Sequence, residues 1–307
     1  MKIQITKRER DDFLRQYYSE NGADWCSERI GVNRKKIVSR ANQMGIKLNR
    51  SVKCAIISRT RPQKTSDEYS VNPEQFFIIK TPEAAYILGL LWADGYVLHR
   101  SPVDKKTGYI HEEYRIQLGS TYDDFVQFLP ILERVGRWRV IYIEASKHRK
   151  KQGRAVISNR PLVEFLIAND YSSKSTASAC KILSLVPDHL RHYWFRGLFD
   201  GDGCIYHNPD GLHIKLSICS SYDQDWTYIR ELFQSVLNEP SFFIHRTVRK
   251  NGNRFSKVEV VKRSAILKFL NYIYRGYDTD GIGLKRKHDG YIKVVDREHT
   301  CSLKRKT

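Results

Sequence analysis

The 307-residue chain has no CxxC pair, and its six cysteines, Cys26, Cys54, Cys180, Cys204, Cys219 and Cys301, lie scattered. Such spacing suggests neither a zinc ribbon nor a disulfide framework, and it suits a reducing compartment. There is no signal peptide and no long apolar run. Secretion and membrane spanning are therefore not expected, and the cytoplasm or an organelle is. Acidic residues are few beside basic ones, 34 against 53, which leaves a net charge of +19. That imbalance favours a polyanionic partner. Hydrophobic residues at 41% and aromatics at 12% exclude a basic disordered tail, and the length suffices for two domains.

What is present is one short pattern written twice. The first copy is Ile87-Leu88-Gly89-Leu90-Leu91-Trp92-Ala93-Asp94-Gly95, and the second is Phe195-Arg196-Gly197-Leu198-Phe199-Asp200-Gly201-Asp202-Gly203. Thr81 as N-cap and Pro82 at the first position predict a helix through Ala93, with Gly95 as its stop. The second copy has the same layout from Pro187. Gly89 and Ala93, like Gly197 and Gly201, fall one turn apart, which lets two helix backbones approach closely. Pairing the copies would bring Asp94 and Asp202 together at helix C-termini. A carboxylate there meets the negative end of the macrodipole, and two such groups repel. A divalent cation would relieve both strains.

Residues 8–48 read as three short helices, 9–18, 23–30 and 34–44, separated at Glu20-Asn21-Gly22 and at Gly31-Val32-Asn33. The third carries Arg34, Lys35, Lys36, Arg40, Asn42 and Gln43 around an apolar stripe. Helix, glycine turn, helix resembles small helix-turn-helix DNA-binding modules, with Arg and Asn suited to base edges and Lys to phosphates. The domains expected are 1–48, a helix-turn-helix unit; 49–74, a basic linker; 75–180, a first repeat; and 181–307, a second repeat with a basic tail.

Each motif helix is followed by the same order of segments. In the first half these are strands at 95–99 and 114–120, a helix from 121 to about 135, a hairpin of 138–145 and 154–158, and a helix at 161–169. In the second they are strands at 203–207 and 212–220, a helix from 221 to about 237, a hairpin of 241–249 and 255–261, and a helix at 264–274. Ser120-Thr121-Tyr122-Asp123 stands against Ser220-Ser221-Tyr222-Asp223.

These motifs and this order resemble the LAGLIDADG homing endonucleases over roughly two-thirds of the chain. The fold class so implied is α+β: two pseudo-twofold-related αββαββα repeats whose curved sheets form a DNA-binding saddle, here with the small all-α unit in front. Polar residues on the strand faces, Arg115, Gln117, Arg139, Arg154, His213, Lys215, His245 and Lys257, suit such a surface, although any half-exposed antiparallel sheet is polar on one side.

The resemblance makes Asp94 and Asp202 the metal-binding acids, one per active site, each site cutting one strand of double-stranded DNA. It also places a lysine near each site. Lys174 matches the first, and Lys287 or Lys285 the second. Hard oxygen ligands suit magnesium (Mg2+). A monomer suffices, since one chain holds both sites. Trp92 stands where Asp200 stands in the second copy, and Asp200 reads either as structural or as a support behind the site's own residues. His189 and His192 read as a polar helix face. The function implied is a metal-dependent double-strand break at an intronless allele. The alternative is an RNA maturase or a DNA-binding regulator on the same fold. An intein is not expected, because the chain ends without a His-Asn pair.

Overall fold

The computed structural model describes residues 6–49, 69–103, 110, 112–208, 213–249, 252 and 254–304, with side chains as far as 297. Most of the basic linker expected at 49–74 lies outside the described residues. The chain divides into two units, 1–68 and 69–307.

In the first unit, α1 (Lys7–Ile30) is opened by a capping box: Glu9 N–H donates to Thr6 Oγ1, and Glu9 Oε2 accepts from Thr6 N–H. Gly22 adopts φ 81° and ψ 178° and breaks the helix in two, which bears out the break expected there. Gly31 closes α1 in the left-handed conformation. Asn33 then caps α2 (Arg34–Gln43) by accepting from Lys35 N–H at 2.9 Å. Leu14, Tyr18, Ala23, Cys26, Ile37 and Ala41 are buried between these segments.

The second unit begins with α3 (Glu74–Phe77) and is organised around two helices, α4 (Pro82–Asp94) and α8 (Arg191–Asp202). Thr81 caps α4 with Oγ1 accepting from Ala84 N–H. The second helix begins later than expected: Asp188–Leu190 form a 3-10 turn, and α8 follows. The two helices pack backbone to backbone. A Cβ on Gly89 would collide with the Trp194 carbonyl, and one on Gly197 with the Tyr86 carbonyl. Gly89→Ala should therefore separate the helices and cost about 1–3 kcal/mol or more. A melting temperature equal to wild type would refute that packing.

Gly95 ends its helix as expected, and Gly203 does the same in the second half, both in extended conformations (φ −75° and −80°). Glycine is needed there for space, since a Cβ would strike the carbonyls of Leu91 and Phe199.

Each helix runs directly into a four-stranded antiparallel sheet. The first contains β1 (Gly95–Arg100), β2 (Glu113–Thr121), β3 (Arg139–Ile143) and β4 (Gln152–Ile157), in the order β1-β2-β4-β3. The second contains β5 (Gly203–His207), β6 (Ile214–Ser220), β7 (Phe243–Val248) and β8 (Arg254–Val260), in the order β5-β6-β8-β7. The repeated strand order is as expected. Ile116, Leu118, Ala155 and Ile157 face the core of the first sheet, and Leu216, Ile218, Val258 and Val260 that of the second. The intervening helices are α5 (Tyr122–Arg134), α6 (Arg160–Ala168) and α7 (Cys180–Leu185). Their counterparts are α9 (Thr227–Glu231), α10 (Arg263–Tyr274), α11 (Tyr277–Asp280) and α12 (Lys285–Lys304).

The segment after β6 departs from expectation. Residues 221–226 do not open a helix; α9 starts at Thr227 and continues as a π turn, Leu232–Val236. The buried Ser256 hydroxyl accounts for it. It accepts from Gln224 N–H (3.1 Å) and Trp226 Nε1 (3.0 Å) and donates to the Tyr222 carbonyl (2.6 Å), which holds the segment open. The helix α12 has no counterpart in the sequence reading, which placed only a basic tail there.

Candidate active site

The abutting ends of α4 and α8 set the site. Gly201 lies so close to the first helix that a Cβ on it would stand 2.5 Å from Ala93 Cβ and 3.0 Å from Asp94 Oδ2. Asp94 and Asp202 thus line one cleft of about 450 Å³. Its walls include Gly95, Tyr171, Lys174, Ser220, Tyr222 and Gln224.

Lys174 caps the first helix. Its ammonium donates to the carbonyls of Trp92 (2.8 Å), Ala93 (3.0 Å) and Gly95 (2.7 Å). Lys287 does the equivalent in the second half, donating to the Gly203 carbonyl. Each lysine answers the unpaired carbonyls and negative dipole of its helix end. Lys285 is exposed and bonded to Asp289, so of the two alternatives Lys287 is the one at the helix end.

The cleft leaves Asp202 half-buried and Asp94 exposed at its mouth. Asp202 is pushed up to about 7, mainly by burial and further by Asp94, against the opposing pull of Lys174 and Lys287. Burial also raises Asp94, although its carboxylate stays open at the cleft mouth. Lys174 is held down to about 8 by burial, against the pull of Asp202 and Asp94. Both ammonium groups are also bonded to helix-end carbonyls, and the raised acids show that they do not offset the cost of burial in full. The donor set, two carboxylates with hard oxygens in an open cleft, fits a hard divalent cation of the magnesium class that keeps several waters. Among the described residues no group of three or more His, Cys, Asp or Glu side chains could hold a metal by itself.

The sign of the pH dependence follows. Asp202 is harder to ionise folded than unfolded, where its pKa is about 3.9. Its contribution to stability is full below that value and is lost as pH rises through about 7. Magnesium or calcium binding to the ionised pair should therefore raise the melting temperature more at pH 8 than at pH 5. Asp202→Asn should remove most of that difference. A cation shift equal at both pH values, or unchanged by the substitution, would count against the site.

The other residues singled out in the sequence fall into three groups. Strand register puts Arg115, Gln117, Arg154 and Arg139 on the outer face of the first sheet. Lys215, Lys257 and His245 lie on that of the second, with exposed His213 just before β6. Some of these are already engaged: Arg115 pairs with Glu113, Lys257 lies 2.5 Å from Glu259, and His245 lies 3.8 Å from the same carboxylate. In the first unit Arg34, Lys35, Lys36 and Asn42 are exposed on α2, with Arg34 Nε paired to Asp24 at 2.6 Å. Arg40 is not available as a base reader there, because Asp11 accepts from its Nε (2.8 Å) and Nη2 (2.5 Å). His192 corrects the expected polar face. It is buried against Arg275, 2.9 Å from Nδ1, and burial pushes it down to about 4.

Asp200 lies behind the cleft, away from its lining. It is buried and accepts from Tyr86 OH, Tyr274 OH and Leu284 N–H. The sequence reading missed the role of Arg196, which is completely buried, and that of Tyr222 and Gln224 in the cleft wall. The doubled Ser-x-Tyr-Asp stretch was the available signal for the latter.

Residues 190–274, from α8 through α10, match the family model of the LAGLIDADG-like domain. Among solved structures, the meganuclease I-SmaMI bound to uncleaveable DNA shares 14% identity, with 73% of this chain and 92% of that one covered and a TM-score of 0.46. The LAGLIDADG homing endonuclease I-GzeII in complex with its DNA target shares 12%, covering 76% and 92%, with a TM-score of 0.45. The LAGLIDADG meganuclease I-CpaMI bound to uncleaved DNA shares 14%, covering 74% and 93%, with a TM-score of 0.44. No curated protein matches.

Proposed function

We propose that this chain is a sequence-specific homing endonuclease of the LAGLIDADG type, making a magnesium-dependent double-strand break in DNA as a monomer. The observation that carries the reading is the doubled constellation: two acids at abutting helix ends, each helix capped by a lysine on the carbonyl that follows the acid. Asp94 and Asp202 would hold the metal. When bound, that ion supplies Lewis acidity and neutralises charge on the scissile phosphate. Lys174 and Lys287 add fixed positive charge beside each strand's phosphate and hold the helix-end carbonyls in place. Tyr222 and Gln224 form part of the cleft wall.

The outer sheet faces supply the DNA surface, with Arg139 and Arg154 on one and Lys215 on the other. The first unit acts as a helix-turn-helix module that presents Arg34, Lys35, Lys36 and Asn42 to DNA, while Arg40 braces α2 through Asp11. The test is incubation of the chain with genomic DNA lacking its intron, with magnesium or with chelator, followed by sequencing of the ends. Cuts at one site, in magnesium only and absent from the intron-bearing allele, are expected. Splicing of the intron RNA without any DNA cut would establish the maturase instead.

A further inference from the structure

The two lysines reach matching carbonyls by different routes. Lys174 lies three residues after Tyr171. The Tyr171 hydroxyl donates to the Leu88 carbonyl at 2.9 Å, and its ring meets Trp92 edge-on at 5.1 Å. Lys287 lies three residues after Leu284. The Leu284 N–H donates to Asp200 Oδ2 at 2.7 Å. In each half, then, the segment bearing the lysine is fastened to its own motif helix one turn before the lysine.

The fastening positions correspond. Arg196 and Asp200 stand at the places of Leu88 and Trp92, offset by 108 in each case (196 − 88 and 200 − 92). The first half uses an apolar pair and the second a charged one. The second half also carries a longer path from its last repeat helix to its lysine, and Arg196 gathers that path. Its Nε donates to the Ile273 carbonyl (2.6 Å), Nη2 to that of Arg275 (2.8 Å), and Nη1 to that of Ile282 (2.5 Å) and to Asp280 (3.1 Å). Asp200 adds the hydroxyls of Tyr86 and Tyr274, each at 2.9 Å. Buried charges are tolerated only when fully bonded. Here most of the bonds come from the path itself, so path and charges hold each other in place.

We propose that Asp200 and Arg196 are positioning residues for Lys287. They clamp residues 275–284 so that the ammonium rests on the Gly203 carbonyl beside Asp202, as Trp92 and Tyr171 do for Lys174. The proposal rests on reading Lys287 as the lysine of the second site, and it makes the two sites separately disabled.

The experiment follows each strand of an end-labelled target duplex, together with DNA affinity and melting temperature. Asp200→Asn preserves size but replaces one acceptor by a donor, so one of the three incoming bonds is lost. One strand should be cut roughly tenfold more slowly, the size typical of groups that orient a site's ligands. The other strand should stay within about twofold, nicked duplex should accumulate, and affinity should hold. Tyr274→Phe removes a single donor and should shift the ratio the same way by less, which keeps the test readable if Asp200→Asn does not fold. Tyr171→Phe should slow the opposite strand. Equal slowing of both strands by Asp200→Asn and Tyr274→Phe, as a general loss of stability would give, overturns the proposal; so do unchanged rates. Failure of the wild type to cut any DNA overturns the nuclease reading instead.

Discussion

Asp94→Asn and Asp202→Asn are each expected to lower double-strand cleavage by about 100-fold or more, equivalent to about 2.7 kcal/mol in the barrier, while DNA affinity stays within a few-fold. Asparagine keeps the shape of the side chain and removes the charge that would hold the metal. The surrounding structure loses little, because neither carboxylate is tied into a hydrogen-bond network like that of Asp200. Removing one acid also relieves the other of its neighbour's repulsion, one of the causes that raise Asp202. Each variant should therefore melt at or above the wild-type temperature in the absence of metal, and nicked circles should be its residual product. Plasmid cleavage, gel-shift affinity and calorimetry measure the three quantities. Wild-type rates of double-strand cleavage by both variants would remove these residues from the chemistry.

DNA affinity should fall steeply with salt. A surface that neutralises six to ten phosphates loses about 10³- to 10⁵-fold in affinity between 50 and 200 mM salt, and a chain of net charge +19 has the means to do so. The side chains should not contribute equally. Arg139 is exposed and Lys257 lies against Glu259 on its own sheet face. Arg139→Met should reduce the slope of log affinity against log salt by about 1, and Lys257→Met by clearly less. A salt-independent affinity, or equal effects of the two substitutions, would show that the outer sheet faces are not the phosphate-binding surface.

The motif helices and the strand order were legible because they are written twice. One Gly-x-x-x-Gly could be any helix contact, but Gly89 and Gly197 at matched places predict each other as partners, and their packing is mutual. Strand alternation was equally plain, and register confirms which residues face outward. The lysines could be placed only by resemblance. Nothing local to Lys174 or Lys287 signals that it will cap a helix some 80 residues away in sequence. Long-range side-chain bonds also explain the misreadings. Ser256 acts on a segment about 30 residues before it, and Arg40 is taken up by Asp11 29 residues earlier. The exposed cation-rich face of α2 was legible; which of its cations was already spent was not.

The seam between the halves also bears on exchange of parts. Where α4 and α8 meet, main chain approaches main chain at the glycines, but Tyr86 also donates to Asp200 and the Trp92 ring lies 6.3 Å from that of Trp194, so a half from a related chain would need those side chains as well as the same glycines to dock there. A second seam adds its own requirement. Arg286 donates from Nε (2.6 Å) and Nη2 (2.7 Å) to Asp124 in α5, and Lys285 N–H donates to Gln127 at 2.9 Å. A chimera that keeps the second half therefore has to carry Asp124 and Gln127 into its new first half, or the helix bearing Lys287 loses its footing.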